Sequence, residues 1–151
     1  MANTYTNPLY HIVFSCKDRR RSIHPNLRDD LYAYIGGIVR NEGGLMLEIG
    51  GVADHVHLVV RLKADTPVAT MVRQVKARSS KWAKQREDSC GFQWQRGYGA
   101  FSISETRLKQ VREYVRRQED RFAEDRCIMW EPPWGFTPGY THRPRCGRTF
   151  I

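Results

Sequence analysis

The stretch Gly51–Val60, GVADHVHLVV, sets two histidines one residue apart inside an apolar run. The Ala53-Asp54 corner reads as a hairpin between two strands, LMLEIGGVAD and HVHLVVRL. Side chains alternate along a strand, so Val56, Leu58 and Val60 share one face and His55 and His57 the other. The first set belongs to a core. The histidines then stand on the open face of the sheet, about 6–7 Å apart at the backbone, where both can bind one metal ion. Two half-exposed histidines hydrogen-bonded to neighbours would give the same pattern.

Working outward, Leu9–Cys16 (LYHIVFSC) is apolar and β-rich, and reads as a buried strand. Pro25 opens a helix at its favoured first position. Leu27, Leu31, Tyr34, Ile35 and Ile38 recur at helical spacing, and Asn41 to Gly44 ends that helix. Thr66-Pro67 reads as a cap and first-turn proline for a second helix, with an apolar face of Val68, Met71, Val72, Val75 and Trp82. FQWQRGYGAFSIS reads as a loop feeding a short strand near Ala100–Ile103. Ser104 then caps a third helix running to about Glu124. The order is β-α-β-β-α-β-α. That predicts an α+β fold, a ferredoxin-like or RRM-like βαββαβ antiparallel sheet with an additional C-terminal helix. One domain is expected over residues 1–126. Residues 127–151, rich in proline and glycine, are expected to be an extended or partly disordered tail.

The chain has 151 residues, enough for one domain with its own core. Lys and Arg number 25 against 16 Asp and Glu, a net charge of +9. Such a surplus favours a polyanion, nucleic acid first, over a merely solvated basic surface. The four cysteines have no metal or redox spacing. No signal peptide is visible, and no run approaches the length of a membrane span. A cytoplasmic protein with reduced thiols is expected.

The second helix carries Arg73, Lys76, Arg78, Lys81 and Lys84 away from its apolar face, a candidate phosphate-binding surface. Trp94, Tyr98 and Phe101 are candidates for stacking on unpaired bases, although aromatics in such a loop more often pack in a core. In the third helix Leu108, Val111, Val115 and Phe122 form a stripe, with Tyr114 at its edge and Gln118 inside it. A tyrosine there is commonly core. A buried amide needs a partner, which a metal or a hydrogen-bond network could supply.

Three motifs, DHVHLVV, WQRGYGAFSIS and VREYVRRQ, occur here in the order and at roughly the separations of the single-tyrosine HUH transposases, and YHIVFSCKDRR resembles that family's first strand. These are small enzymes of simple insertion sequences and their REP-associated relatives. The resemblance covers about Tyr10 to Arg121. It implies that Tyr114 is the nucleophile and that His55, His57 and Gln118 are the metal ligands, for Mg²⁺ or Mn²⁺. It implies as partners single-stranded DNA beside imperfect hairpins and a second copy in a homodimer, and no membrane. It places the protein in a bacterial or archaeal cytoplasm, with the nucleoid. The activity implied is cleavage and rejoining of that DNA through a 5′-phosphotyrosine. The alternatives are a domesticated or inactive relative that binds hairpin DNA or RNA as a regulator, and an unrelated metal-dependent hydrolase. Residues from Cys127 on show no resemblance, His142 has no assigned part, and His11 and His24 read as structural or surface residues.

Overall fold

The structure is a computed structural model that describes residues 5–86 and 91–123, with backbone only for 121–123. The tail expected over 127–151 lies outside the described residues, as does His142. Four strands form one antiparallel sheet: β1 (Leu9–Ser15), β2 (Leu45–Val52), β3 (His55–Arg61) and β4 (Gly99–Ser102), in the order β2-β3-β1-β4. Helices α1 (Pro25–Asn41) and α2 (Val68–Lys84) connect them in the βαββαβ sequence. The expected α+β, ferredoxin-like sheet is the observed one.

One face of the sheet is the main core. Ile12, Phe14, Val56, Leu58 and Val60 pack against Leu27, Leu31, Ile35 and Ile38 of α1 and Met71, Val72 and Val75 of α2. Helix α1 starts at Pro25 and ends where Gly43 takes φ +82°, a conformation that glycine adopts without a steric penalty. Tyr34 and Trp82 stack between the two helices, ring centroids 4.9 Å apart. Pro67, not Thr66, occupies the cap position of α2.

The third helix departs from expectation. Residues Glu105–Arg107 form a 3₁₀ turn, followed by α3 (Leu108–Arg116) and a separate α4 (Gln118–Ala123). Ser104 bonds the Thr106 hydroxyl and makes no helix cap. The break falls at Arg117 (φ −89°, ψ 13°). The side-chain Nε2 of Gln118 donates to the Tyr114 carbonyl at 3.1 Å, the acceptor its own backbone N–H would use in an unbroken helix.

Helix α3 lies across the face of the sheet expected to be open. Val111 and Val115 pack on Val59 in a small second core, with Leu47, Ile103, Leu108 and Tyr114 at its margin. Nine residues make a helix that is marginal alone, so this docking sustains it. Gly50 on β2 permits the close approach: a Cβ there would collide with the Val115 carbonyl oxygen. Glu48 on β2 adds ion pairs to Arg112 (3.6 Å) and Arg116 (3.0 Å). Arg28 of α1 pairs with Glu119 of α4.

Candidate active site

His55 and His57 point to the α3 face, as strand alternation requires. Their ring centroids are 5.0 Å apart. The expectation that both stand on an open face fails: His57 is wholly buried under α3, and the His55 side chain is only 14% exposed. Tyr114 of α3 is brought over it, ring centroids 5.8 Å apart and nearly perpendicular. The histidines and Tyr114, distant in sequence, therefore meet on one face, and Gln118 is tied to Tyr114 through its backbone carbonyl.

Each histidine has its Nδ1 engaged. His55 Nδ1 lies 2.5 Å from Asp54 Oδ1, an ion-pair and hydrogen-bond geometry in which the imidazole donates. Burial pushes the Asp54 carboxyl up, but the His55 bond and charge, with Arg19 and Arg21, outweigh it and hold Asp54 below the usual carboxylate range. Arg19 reaches Asp54 at 3.2 Å from a left-handed backbone (φ 55°), a strained conformation for a residue with a side chain.

His57 Nδ1 lies 2.9 Å from Nε2 of His11 on β1. Both rings are fully buried. Burial lowers His11 to about 4. Burial first, then the charges of His55, His11 and Arg19, hold His57 well below its ordinary value. Both are neutral imidazoles at neutral pH. The Nε2 of His57 is buried with no hydrogen-bond partner among the described residues. A buried polar atom in that condition is costly unless it meets a ligand.

That orphaned nitrogen fits a divalent cation: neutral imidazole offers a lone pair, and His55 has its own Nε2 remaining. Gln118 is 9% exposed, and its amide nitrogen donates to the Tyr114 carbonyl, so only its amide oxygen could serve as a ligand atom. Among the described residues no three His, Cys, Asp or Glu side chains gather as a metal-ready group, and the contact that places Gln118 is with the Tyr114 carbonyl rather than with either histidine.

The candidate DNA-binding residues other than Phe101 lie elsewhere. Helix α2 is across the sheet from the histidines, in the helical layer. Arg73, Lys81 and Lys84 are exposed there. Arg78 pairs with Glu42 at 3.4 Å. Lys76 donates from Nζ to the carbonyls of Gln95 and Gly97, both at 2.6 Å, and lies over the Phe14 ring, so it clasps the loop before β4. Trp94 is a core residue: its indole N–H donates to Ser79 Oγ and its ring meets Phe14 and Phe92 edge-on. Tyr98 is 43% exposed. Phe101 falls on the histidine face, 6.3 Å from the His11 ring. An open groove of about 420 Å³ runs along α2, lined by Lys76, Ser80, Lys81, Lys84, Gln93 and Trp94 among others.

Sequence reasoning missed His11, Asp54 and Gly50 as parts of this site. His11 had a signal: it shares the strand period of the histidine face once the β1–β3 register sets it opposite Val59. That register is not written in either strand alone.

Among the described residues no helix is long and apolar enough to cross a membrane. Two curated relatives, the transposases for insertion sequence element IS200 of Salmonella typhimurium and Salmonella typhi, are each 25% identical over 138 residues, 86% of this chain and 90% of theirs. The fold is similar to a crystal structure from Deinococcus radiodurans R1 described as a candidate transposase, with TM-score 0.62 and 18% identity over 78% of this chain and 95% of that one. It is equally similar to a REP-associated tyrosine transposase bound to a REP hairpin, with TM-score 0.62 and 14% identity over 81% of this chain and 73% of that one. Residues 4–118 match the family described as "Transposase IS200 like", and the chain belongs to that family of transposases.

Proposed function

We propose that this transposase cuts and rejoins single-stranded DNA at hairpin-flanked ends through a 5′-phosphotyrosine on Tyr114. The observation that carries the reading is the buried, unpartnered Nε2 of a neutral His57 beside the Tyr114 ring. His55 and His57 through Nε2, and Gln118 through its amide oxygen, would hold Mg²⁺ or Mn²⁺. Such an ion, when bound, draws charge from a non-bridging oxygen of the scissile phosphate. The Tyr114 phenol loses its proton and its oxygen bonds to phosphorus. The bond from phosphorus to the 3′ oxygen breaks, and that oxygen takes a proton. A 3′-hydroxyl of another end reverses the step without an external energy source.

The exposed Arg73, Lys81 and Lys84 of α2 would hold backbone phosphates away from the reacting strand, and Tyr98 would offer a stacking face. A relative of the same fold bound to a REP hairpin supports hairpin DNA as the partner. The working form is a homodimer acting on the nucleoid in the cytoplasm.

The test is a denaturing gel of the purified chain with Mg²⁺ or Mn²⁺ and labelled single-stranded DNA carrying the hairpin beside its own gene. A covalent protein–DNA band that requires metal and vanishes in Tyr114→Phe is expected. DNA retarded on a native gel, with no covalent band in either metal, overturns the reading in favour of a binding regulator.

A further inference from the structure

We propose that His11 is a positioning residue that sets the tautomer and ring orientation of His57. The proposal rests on the reading of His57 as a metal ligand, and it concerns a residue that no metal need touch. His11 stands on β1 opposite Val59 of β3, one diagonal step from His57 on the same face. Its Nε2 lies 2.9 Å from His57 Nδ1, and the two ring planes lie within 17° of each other. An N–H in one ring plane can therefore aim at the lone pair of the other.

Only one proton can occupy that N···N line. If His11 donates, the proton of neutral His57 sits on its Nε2, where it is buried without an acceptor among the described residues and blocks the lone pair. If His57 donates from Nδ1, the bond is made and Nε2 is left as a ligand atom. The second arrangement moves the remaining proton to the buried Nδ1 of His11 and leaves the His57 lone pair open to a ligand, so what distinguishes it is a prepared ligand atom.

The two histidines thus have different anchors. His55 donates to a carboxylate, Asp54, which lies near the sheet end with Arg19 beside it. His57 lies deeper under α3, where a buried charge would be costly without a paired cation, and a neutral imidazole serves as its acceptor. The Tyr114 ring, 6.1 Å from His11 and edge-on, and the Phe101 ring close the other sides. His11 is therefore confined as well as bonded.

The experiment is long-range ¹H–¹⁵N correlation spectroscopy of the full chain with ¹⁵N-labelled histidine, without metal, followed by Mn²⁺ titration read by electron paramagnetic resonance. In the wild type His57 is expected to carry its proton on Nδ1. In His11→Phe it loses that single tautomer, and Mn²⁺ binding weakens about 10- to 100-fold. His11→Gln, whose carbonyl oxygen can accept in the same place, restores both in large part. A wild-type His57 protonated on Nε2 overturns the proposal, and needs no variant to be seen. So does an unchanged His57 tautomer in a folded His11→Phe protein. Absence of Mn²⁺ binding in the wild type, with the tautomer still dependent on residue 11, overturns the metal reading and leaves the positioning role of His11 standing.

Discussion

Towards α1 and α2 the sheet presents Ile12, Phe14, Val56, Leu58 and Val60; towards α3 the alternate residues of the same strands present His11, His55, His57 and Val59. The first face is continuous apolar packing under two 17-residue helices. The second is a polar cluster under a nine-residue helix, held by Val111, Val115 and a few ion pairs. One strand period thus builds two environments. The fold's larger core is on one side of the sheet, and the proposed chemistry on the other.

Truncating the core face should give the largest effect on stability. Ile35→Ala removes a fully buried side chain from α1 and should cost about 2–5 kcal/mol, read by urea denaturation. The cleavage rate per folded molecule should be unchanged. A large loss of that rate in a protein that remains folded would break the division between the faces.

Gly50→Ala should act the other way. Its Cβ meets a backbone oxygen that cannot rotate aside, so α3 must shift at a cost of about 1–3 kcal/mol. Faster hydrogen exchange at the Val111 and Val115 amides would report the shift. Cleavage should fall about 100-fold, since a small displacement of a reacting group is enough for that. Normal exchange and normal cleavage would show that α3 is not fixed by this contact.

Glu48→Gln should be mildest. Its partners Arg112 and Arg116 are 41% and 58% exposed, so solvent screens both pairs and the loss should be no more than about 1 kcal/mol, shrinking as salt is added. Denaturation at low and high salt would measure it. A larger, salt-insensitive loss would make Glu48 as important to α3 as the valines.

What was legible in the sequence follows the same division. The apolar periods of β1, β3, α1 and α2, with Pro25 and the glycines after Asn41, specify the core layer because each is a local pattern. The H-x-H pair and the stripe of Val111 and Val115 were also visible. Where that stripe docks was not, because it depends on Gly50, a residue with no side chain to read. His57 consequently looked exposed. The helix break at Arg117 was hidden for a related reason: a side-chain amide takes over a backbone bond, and helical periodicity passes through the break unchanged. Trp94 and Lys76 looked like parts of a DNA surface because composition cannot show that one donates to Ser79 and the other to two carbonyls.

The close contact at Gly50 also bears on how the chain tolerates genetic drift. A position with no functional group usually accepts small substitutions. Here every alternative side chain begins with the same forbidden atom, so position 50 should accept substitutions about as rarely as the histidines it lies beside. A survey of random variants scored for activity would then mark Gly50 with the reactive residues, although it takes no part in the reaction. Its sensitivity would record the space between a strand and a helix.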